Sequence, residues 1–294
     1  MAIRDSRSDK VFAIVNVTIL TLIMLIVLYP LVFCVSASFS STAALAAGDV
    51  TLLPVRPNLS SYRAVFRDNS IWIGYRNTTC YTILYLAISL TTTIITAYPL
   101  SRRDLKGRNL FMLVFSFTMF FSGGIIPTYL VIKNMKMINT VWAIVLPGCL
   151  SVTNLIITRT YFMNSIPFEL QESAIIDGSS NVGTLIRIVI PLSKPIIAVM
   201  AVYYGVAMWN SYFSALMYLT DTAKWPLQLV LRELLLANMI TEVTDSTMFT
   251  PEQILLYEGM KYALVVVASL PVMCLYPFVQ RFFVKGVMIG AIKG

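Results

Sequence analysis

The 294-residue chain contains no histidine. Histidine-dependent triads, histidine metal ligands and proton shuttles tuned near neutral pH are therefore excluded. Charge is scarce too: 12% of residues are Asp, Glu, Lys or Arg, roughly half of what a soluble domain carries. With 57% of the chain apolar, too little polar surface exists to keep the body dissolved, and lipid must cover the rest. The four cysteines, Cys34, Cys80, Cys149 and Cys274, stand far apart in apolar runs and form no CxxC pair. They read as small buried hydrophobes, so neither a metal site nor a disulfide is expected. The net charge of +8 comes without a basic stripe interleaved with aromatics, so nucleic acid is not expected as a partner.

What is present is a series of long apolar runs. A helix needs about 20 such residues to cross a bilayer, and six runs qualify: near 11–35, 73–99, 110–132, 139–158, 196–219 and 262–280. Runs this strong and continuous predict an all-α membrane protein of one domain and not a barrel. The first run follows Arg4, Arg7 and Lys10 and resembles a secretory signal, but it is too long for one and reads as a retained span. Basic residues cluster beside alternate span ends: Arg102, Arg103, Lys106 and Arg108, then Arg159, Arg187 and Lys194, then Arg281, Lys285 and Lys293. On the positive-inside rule, both termini are expected to be cytoplasmic. That leaves two long outer segments, about 38–72 and 220–261. The second includes a predicted amphipathic stretch over 227–236 and an acidic patch around Glu242 and Asp245. Segments of this size suit an external partner, or simple packing over the outer mouth of the bundle.

The spans themselves lack what would power or catalyse anything. The one ionisable residue expected inside them is Arg76, near an outer end where it can reach the interface. Ion-coupled transporters place carboxylates or other charges at membrane depth, and an intramembrane protease needs paired aspartates or a nucleophile with a base. Neither is visible, no catalytic residue is assigned, and a driving force must come from a motor outside the spans. Uncharged polar residues do occur at depth. Most suit helix–helix contacts as well as a wet pathway, but Trp209, Asn210 and Tyr212 form an aromatic–amide cluster suited to a sugar.

The segment between the fourth and fifth runs, 159–195, predicts two short helices. Ser165 is the expected N-cap and Pro167 lies in the first turn, with Glu169 and Glu172 in the early turns. Gly178 supplies the left-handed stop, Ser179 caps the second helix, and Pro191 and Pro195 keep that helix from running straight into the membrane. Gly178 to Thr184 has the glycine spacing of a phosphate-binding loop. Thr184 stands where the lysine is required, however, and a helix precedes it in place of a strand, so nucleotide binding by this chain is rejected.

Glu172-Ser173-Ala174-Ile175-Ile176-Asp177-Gly178, followed by Pro191 and Pro195, resembles the EAA loop of ABC importer permeases. The likeness is to the second permease of maltose-type carbohydrate importers, within the branch handling oligosaccharides and polysaccharide fragments. It extends to Trp209-Asn210, Leu270-Pro271 and the tail Phe283–Gly286 and Gly290–Gly294. Ser173 and Ser179 stand where alanines are usual, and Gly183 where glutamine is common. The resemblance implies a MetI-like, six-helix permease of the type I importer class in the bacterial cytoplasmic membrane. It implies a sister permease, two ATPase subunits and an external solute-binding lipoprotein as partners, with ATP and Mg used by the ATPase and no cofactor on this chain. Glu172, Ser173, Ala174, Asp177, Gly178 and Pro191 would couple to the ATPase, and the tail would insert between its subunits. The alternatives are a permease for a peptide or polyol and, less in keeping with the uncharged spans, an ion-coupled transporter.

Overall fold

The computed structural model describes residues 6–243 and 251–291. Arg4, Asp245 and the tail residues Ile292, Lys293 and Gly294 lie outside them, as do the side chains of Arg281 and Lys285. The described residues are helical throughout their regular structure. In order they form α1 (Arg7–Phe39), α2 (Thr42–Ala46), α3 (Ser60–Arg67), α4 (Asn69–Ser101) and α5 (Arg108–Phe120). Next come α6 (Ile125–Asn134), α7 (Trp142–Val145), α8 (Val152–Ser165), α9 (Phe168–Ile176) and α10 (Asn181–Thr184). A widened turn over Leu185–Val189 leads to α11 (Ile190–Leu192), α12 (Lys194–Trp209), α13 (Phe213–Tyr218), α14 (Leu227–Val243) and α15 (Pro251–Ala291).

Among the described residues, three helices are long and apolar enough to cross a membrane, Ser8–Phe39, Asn69–Ser101 and Glu258–Leu275, and up to five if each of two bent helix pairs is one span. Three of the expected spans are not continuous helices. The 110–132 run breaks at 121–124 and α5 meets α6 at 112°: Phe121 leaves the helix in an extended conformation, and Gly124 turns the chain into α6 with a positive φ of +84° that glycine takes without strain. The 139–158 run is interrupted at 146–151 by Pro147 and by Gly148 with φ +126°. The 196–219 run stops at Trp209 and restarts at Phe213, with Asn210 as the C-cap. Hydropathy reports how apolar a window is, and a glycine pair or a Pro-Gly step does not change that.

The chain divides into two compact units, 1–71 with 231–270 and 72–230 with 271–294. In the first unit, the end of α1 organises the outer segment through buried serines. Ser36 donates to the Leu52 carbonyl (2.6 Å), Ser40 accepts from the Val55 N–H (3.0 Å), and Ser38 and the Tyr62 hydroxyl share a proton (2.8 Å). Phe33 meets Tyr262 edge-on, with ring centroids 5.8 Å apart.

In the second unit, a core of Tyr98, Leu155, Phe162, Val189, Met200 and Tyr204 ties α4, α8 and α12 together. In lipid such packing is favoured by close fit and hydrogen bonding more than by escape from water. Side chains of α4 also strap down the stretch leading into α14. Asn77 donates to the carbonyls of Ala223 (2.9 Å) and Trp225 (3.0 Å), the Leu227 N–H donates to Thr78 (2.8 Å), and Tyr81 donates to Lys224 (2.9 Å). Gly74 makes this approach possible, since a Cβ there would sit 3.0 Å from the Leu227 Cα. Of the four cysteines, Cys80 and Cys274 lie on the surface and not in the interior as expected, on faces the protein leaves for other apolar surroundings.

Candidate functional site

The segment from Ile166 to Ser193 folds as an elbow of short helices. Ser165, expected as its N-cap, is instead the last residue of α8, and Pro167 holds the N-cap position without a side-chain bond. Glu169 supplies the carboxylate of the first turn, where the helix dipole favours it. Gln171 and Ala174 turn inward and are buried, while Glu172, Ser173 and Asp177 are exposed. Ser173 turns its hydroxyl back to the Leu170 carbonyl (3.1 Å).

Gly178 ends α9 in a left-handed conformation, φ +76°. Its N–H meets the Ile175 carbonyl (3.0 Å) and the Ser179 N–H meets the Ala174 carbonyl (2.9 Å). These two crossed bonds form a Schellman cap, which turns the chain sharply while satisfying carbonyls the helix end would leave open. The cap of α10 is Ser180, one residue later than expected, whose hydroxyl accepts from the Gly183 N–H (3.1 Å). Pro191 then forces a widened turn. Proline cannot donate to Arg187 and its ring would crowd that carbonyl, and the Ile190 N–H reaches five residues back to Leu185. The chain breaks at the buried Ser193 and enters α12 at 82°.

The elbow is braced from the turn after α4. Arg102, with its side chain 9% exposed, donates to Tyr98 (3.1 Å), to Asn181 Oδ1 on α10 (3.0 Å) and through a fork to Asp104 (2.6 and 2.8 Å). The hydrogen bond from Arg102 holds the Asp104 carboxyl below its usual range, and the same bond holds the guanidinium above its own. Arg103 lies over the Phe168 ring at the start of α9, 5.5 Å from its centroid. Arg159 adds a bond to the Leu100 carbonyl (2.8 Å). Two consecutive arginines thus hold both helices of the elbow. Sequence reasoning assigned them only to orientation. The signal available was Asp104, which gives Arg102 a partner two residues away that a purely topological charge would not need.

The outward face of the elbow is unusual for a connector. Ile176 is 84% exposed, and Leu170, Ile175 and Val182 are exposed around Glu172 and Asp177. The structure therefore gathers Glu172, Ser173, Asp177 and Gly178 on one capped turn with Ala174 beneath them, and sets Pro191 apart at the far end of the elbow. The second cluster lies at the α12–α13 break. Trp209 is buried with its ring 6.1 Å from that of Tyr75. Asn210 turns its amide onto its own helix at the Val206 carbonyl (3.0 Å). Tyr212 is exposed.

This geometry can be set beside known proteins. Residues 89–289 match the family described as "Binding-protein-dependent transport system inner membrane component". The chain is 40% identical to Protein LplC of Bacillus subtilis, over 99% of this chain and 97% of that one. It is 37% identical to a Bacillus subtilis polygalacturonan/rhamnogalacturonan transport system permease protein, YtcP, over 97% and 99% of the two chains. It is also similar to a solved bacterial ABC transporter involved in import of the acidic polysaccharide alginate. There the TM-score is 0.85 and identity 32%, with 96% of this chain and all of that chain covered. A capped and braced elbow within a helical membrane bundle thus accompanies extensive sequence likeness, and the chain belongs to the family of inner membrane components of binding-protein-dependent transport systems.

Proposed function

We propose that this chain is one of two permease subunits of an ATP-driven importer that carries a sugar or oligosaccharide across the cytoplasmic membrane. The observation that carries the reading is the elbow over 166–193: capped at both helices, held by Arg102 and Arg103, and presenting an acidic and isoleucine-rich face. A connector between spans needs none of these. A docking element needs all of them, because a lever transmits motion only if its shape survives the load.

In this reading a separate ATPase subunit receives the exposed face, with Glu172 against a basic group and Ile176 in an apolar cleft. Closure of the ATPase pair on ATP and Mg moves the elbow, and Arg102 passes that movement to α4. The termini and the elbow lie on the cytoplasmic side. A sister permease completes the pathway, and an external binding protein delivers solute to the outer segments. A relative named for polygalacturonan/rhamnogalacturonan transport and the alginate importer support a carbohydrate over a peptide or polyol.

The test is uptake into proteoliposomes holding the assembled importer, with oligogalacturonides, a neutral oligosaccharide and a peptide as probes. ATP-dependent accumulation of a saccharide is expected, along with its loss in Glu172→Lys. Accumulation of the peptide alone would overturn the sugar reading, and full coupled uptake by Glu172→Lys would overturn the docking role.

A further inference from the structure

The pathway residues expected from sequence lie at the α12–α13 break, yet a better-built site lies elsewhere in the same unit. A cleft of about 590 Å³ opens beside Tyr85, Ser151, Asn154, Tyr203 and Tyr204, within the roughly 300–1,000 Å³ typical of small-ligand sites. Ser151 brings to it the end of the irregular stretch 146–151 between α7 and α8. Non-helical backbone at membrane depth persists only where protein buries it or where it lines a cavity. Here Tyr85 donates to the Gly148 carbonyl (2.8 Å), and the Tyr204 hydroxyl accepts from the Ser151 N–H (3.2 Å) while bonding Thr93 (2.7 Å). The hydroxyls of Tyr85 and Tyr204 are thereby committed to that stretch, and the two rings pack edge-to-face on each other, 5.8 Å between centroids, with Tyr204 buried.

Asn154 is different. The residue is only 8% exposed, lines the cleft, and its side-chain amide finds no hydrogen-bond partner among the described residues. The amide therefore opens to the cleft and is available to what enters it, and one amide donates and accepts at once. Ser151 beside it spends its hydroxyl oxygen on the Asn154 N–H (3.4 Å), which leaves its proton free to be donated. No Lys, Arg, Asp or Glu lines the cleft.

We infer that this cleft is a subsite for one sugar ring, with vicinal hydroxyls on the Asn154 amide and Ser151 and a C–H face of the ring against Tyr203. The inference rests on the sugar reading above and names where on this chain the substrate is held. Because the cleft is uncharged, it reads the hydroxyls that acidic and neutral saccharides share, and any carboxylate is read elsewhere.

In the assembled importer, Asn154→Leu is expected to raise the KM for saccharide uptake about tenfold, and Asn154→Gln to recover most of that. A second measurement covers a variant that fails to fold. With Cys34, Cys80, Cys149 and Cys274 replaced by alanine, Ser151→Cys is labelled with a small water-soluble maleimide, and saturating oligogalacturonide is expected to slow the labelling several-fold. Loss of the sister permease from purified Asn154→Leu complexes would make Asn154 an interface residue and overturn the subsite. So would unchanged KM together with unprotected Ser151→Cys. In either case wild-type saccharide uptake leaves the proposed function standing, whereas absence of that uptake removes the proposed function itself.

Discussion

Two helices of equal length, α1 and α4, each run 33 residues and are built on opposite principles. None of the most apolar window of α1 is buried by the protein, against 28% of that of α4. From Val11 to Tyr29, α1 is mostly apolar, with Asn16, Thr18 and Thr21 as its polar residues, and exposed on every side. The less apolar α4 carries Asn77, Thr78, Thr93 and, just past its end, Arg102, each bonded to a residue far away in sequence. In a membrane the most hydrophobic helix is thus not the core helix. Apolar side chains gain little by leaving lipid for protein, whereas a polar group at depth has to find a partner.

The contrast can be attacked first where the load is greatest. Arg102→Ala removes a buried hub whose charged hydrogen bonds to Tyr98 and Asn181 are each worth about 1.5–3 kcal/mol and frees α10 from α4. Saccharide uptake per ATP hydrolysed is expected to fall at least about tenfold. Arg102→Lys should recover only part, since an ammonium cannot reproduce the fork to Asp104. Asn77→Leu strands two carbonyls, at a cost of about 1–3 kcal/mol, and should lower the melting temperature of the purified complex measurably. Gly178→Ala meets no atom within 4 Å, so its penalty is conformational alone, about 1–2 kcal/mol for an L-residue in the left-handed region. Uptake should drop several-fold, and Gly178→Asn should drop less.

Acidification comes next. The carboxyl of Asp104 is held below its ordinary value, so its contribution is complete above about pH 4 and is lost as the pH falls through the depressed value. Asp104 is more than half exposed, so the effect on elbow protection in hydrogen exchange should be small and absent from Asp104→Asn. Leu22→Ala, on the bare surface of α1, should change melting by less than any of these. If it costs as much as Asn77→Leu, the contrast between the two helices fails.

Sequence alone carried the class of the fold and the elbow, because both rest on local rules. Long apolar runs demand helices, and a helix followed by Asp177-Gly178 with serines beyond ends where a glycine can turn left-handed. The continuity of the spans was legible in principle, through Ser122-Gly123-Gly124 and Pro147-Gly148, but hydropathy averaged over these breaks. The brace was not legible, because Arg102 finds Asn181 at 79 residues' separation and nothing local announces that meeting. Asn154 was visible as a polar residue at depth, but that it lines a cleft beside Tyr203 and Tyr204 on α12 depends on how α8 packs, a three-dimensional fact.

The cap at Ser180 has a consequence for how this elbow could have changed over time. A Cβ at position 183 would stand 2.9 Å from the Ser179 hydroxyl and 3.2 Å from that of Ser180. Two of the three departures from the family pattern are therefore neighbours in space: glycine at 183 leaves room for the serine hydroxyl at 179. A side chain at 183 would crowd both hydroxyls, and alanine at 179 would relieve the tighter of the two contacts while leaving the Ser180 cap to adjust. What position 183 tolerates thus depends on which residues stand at 179 and 180.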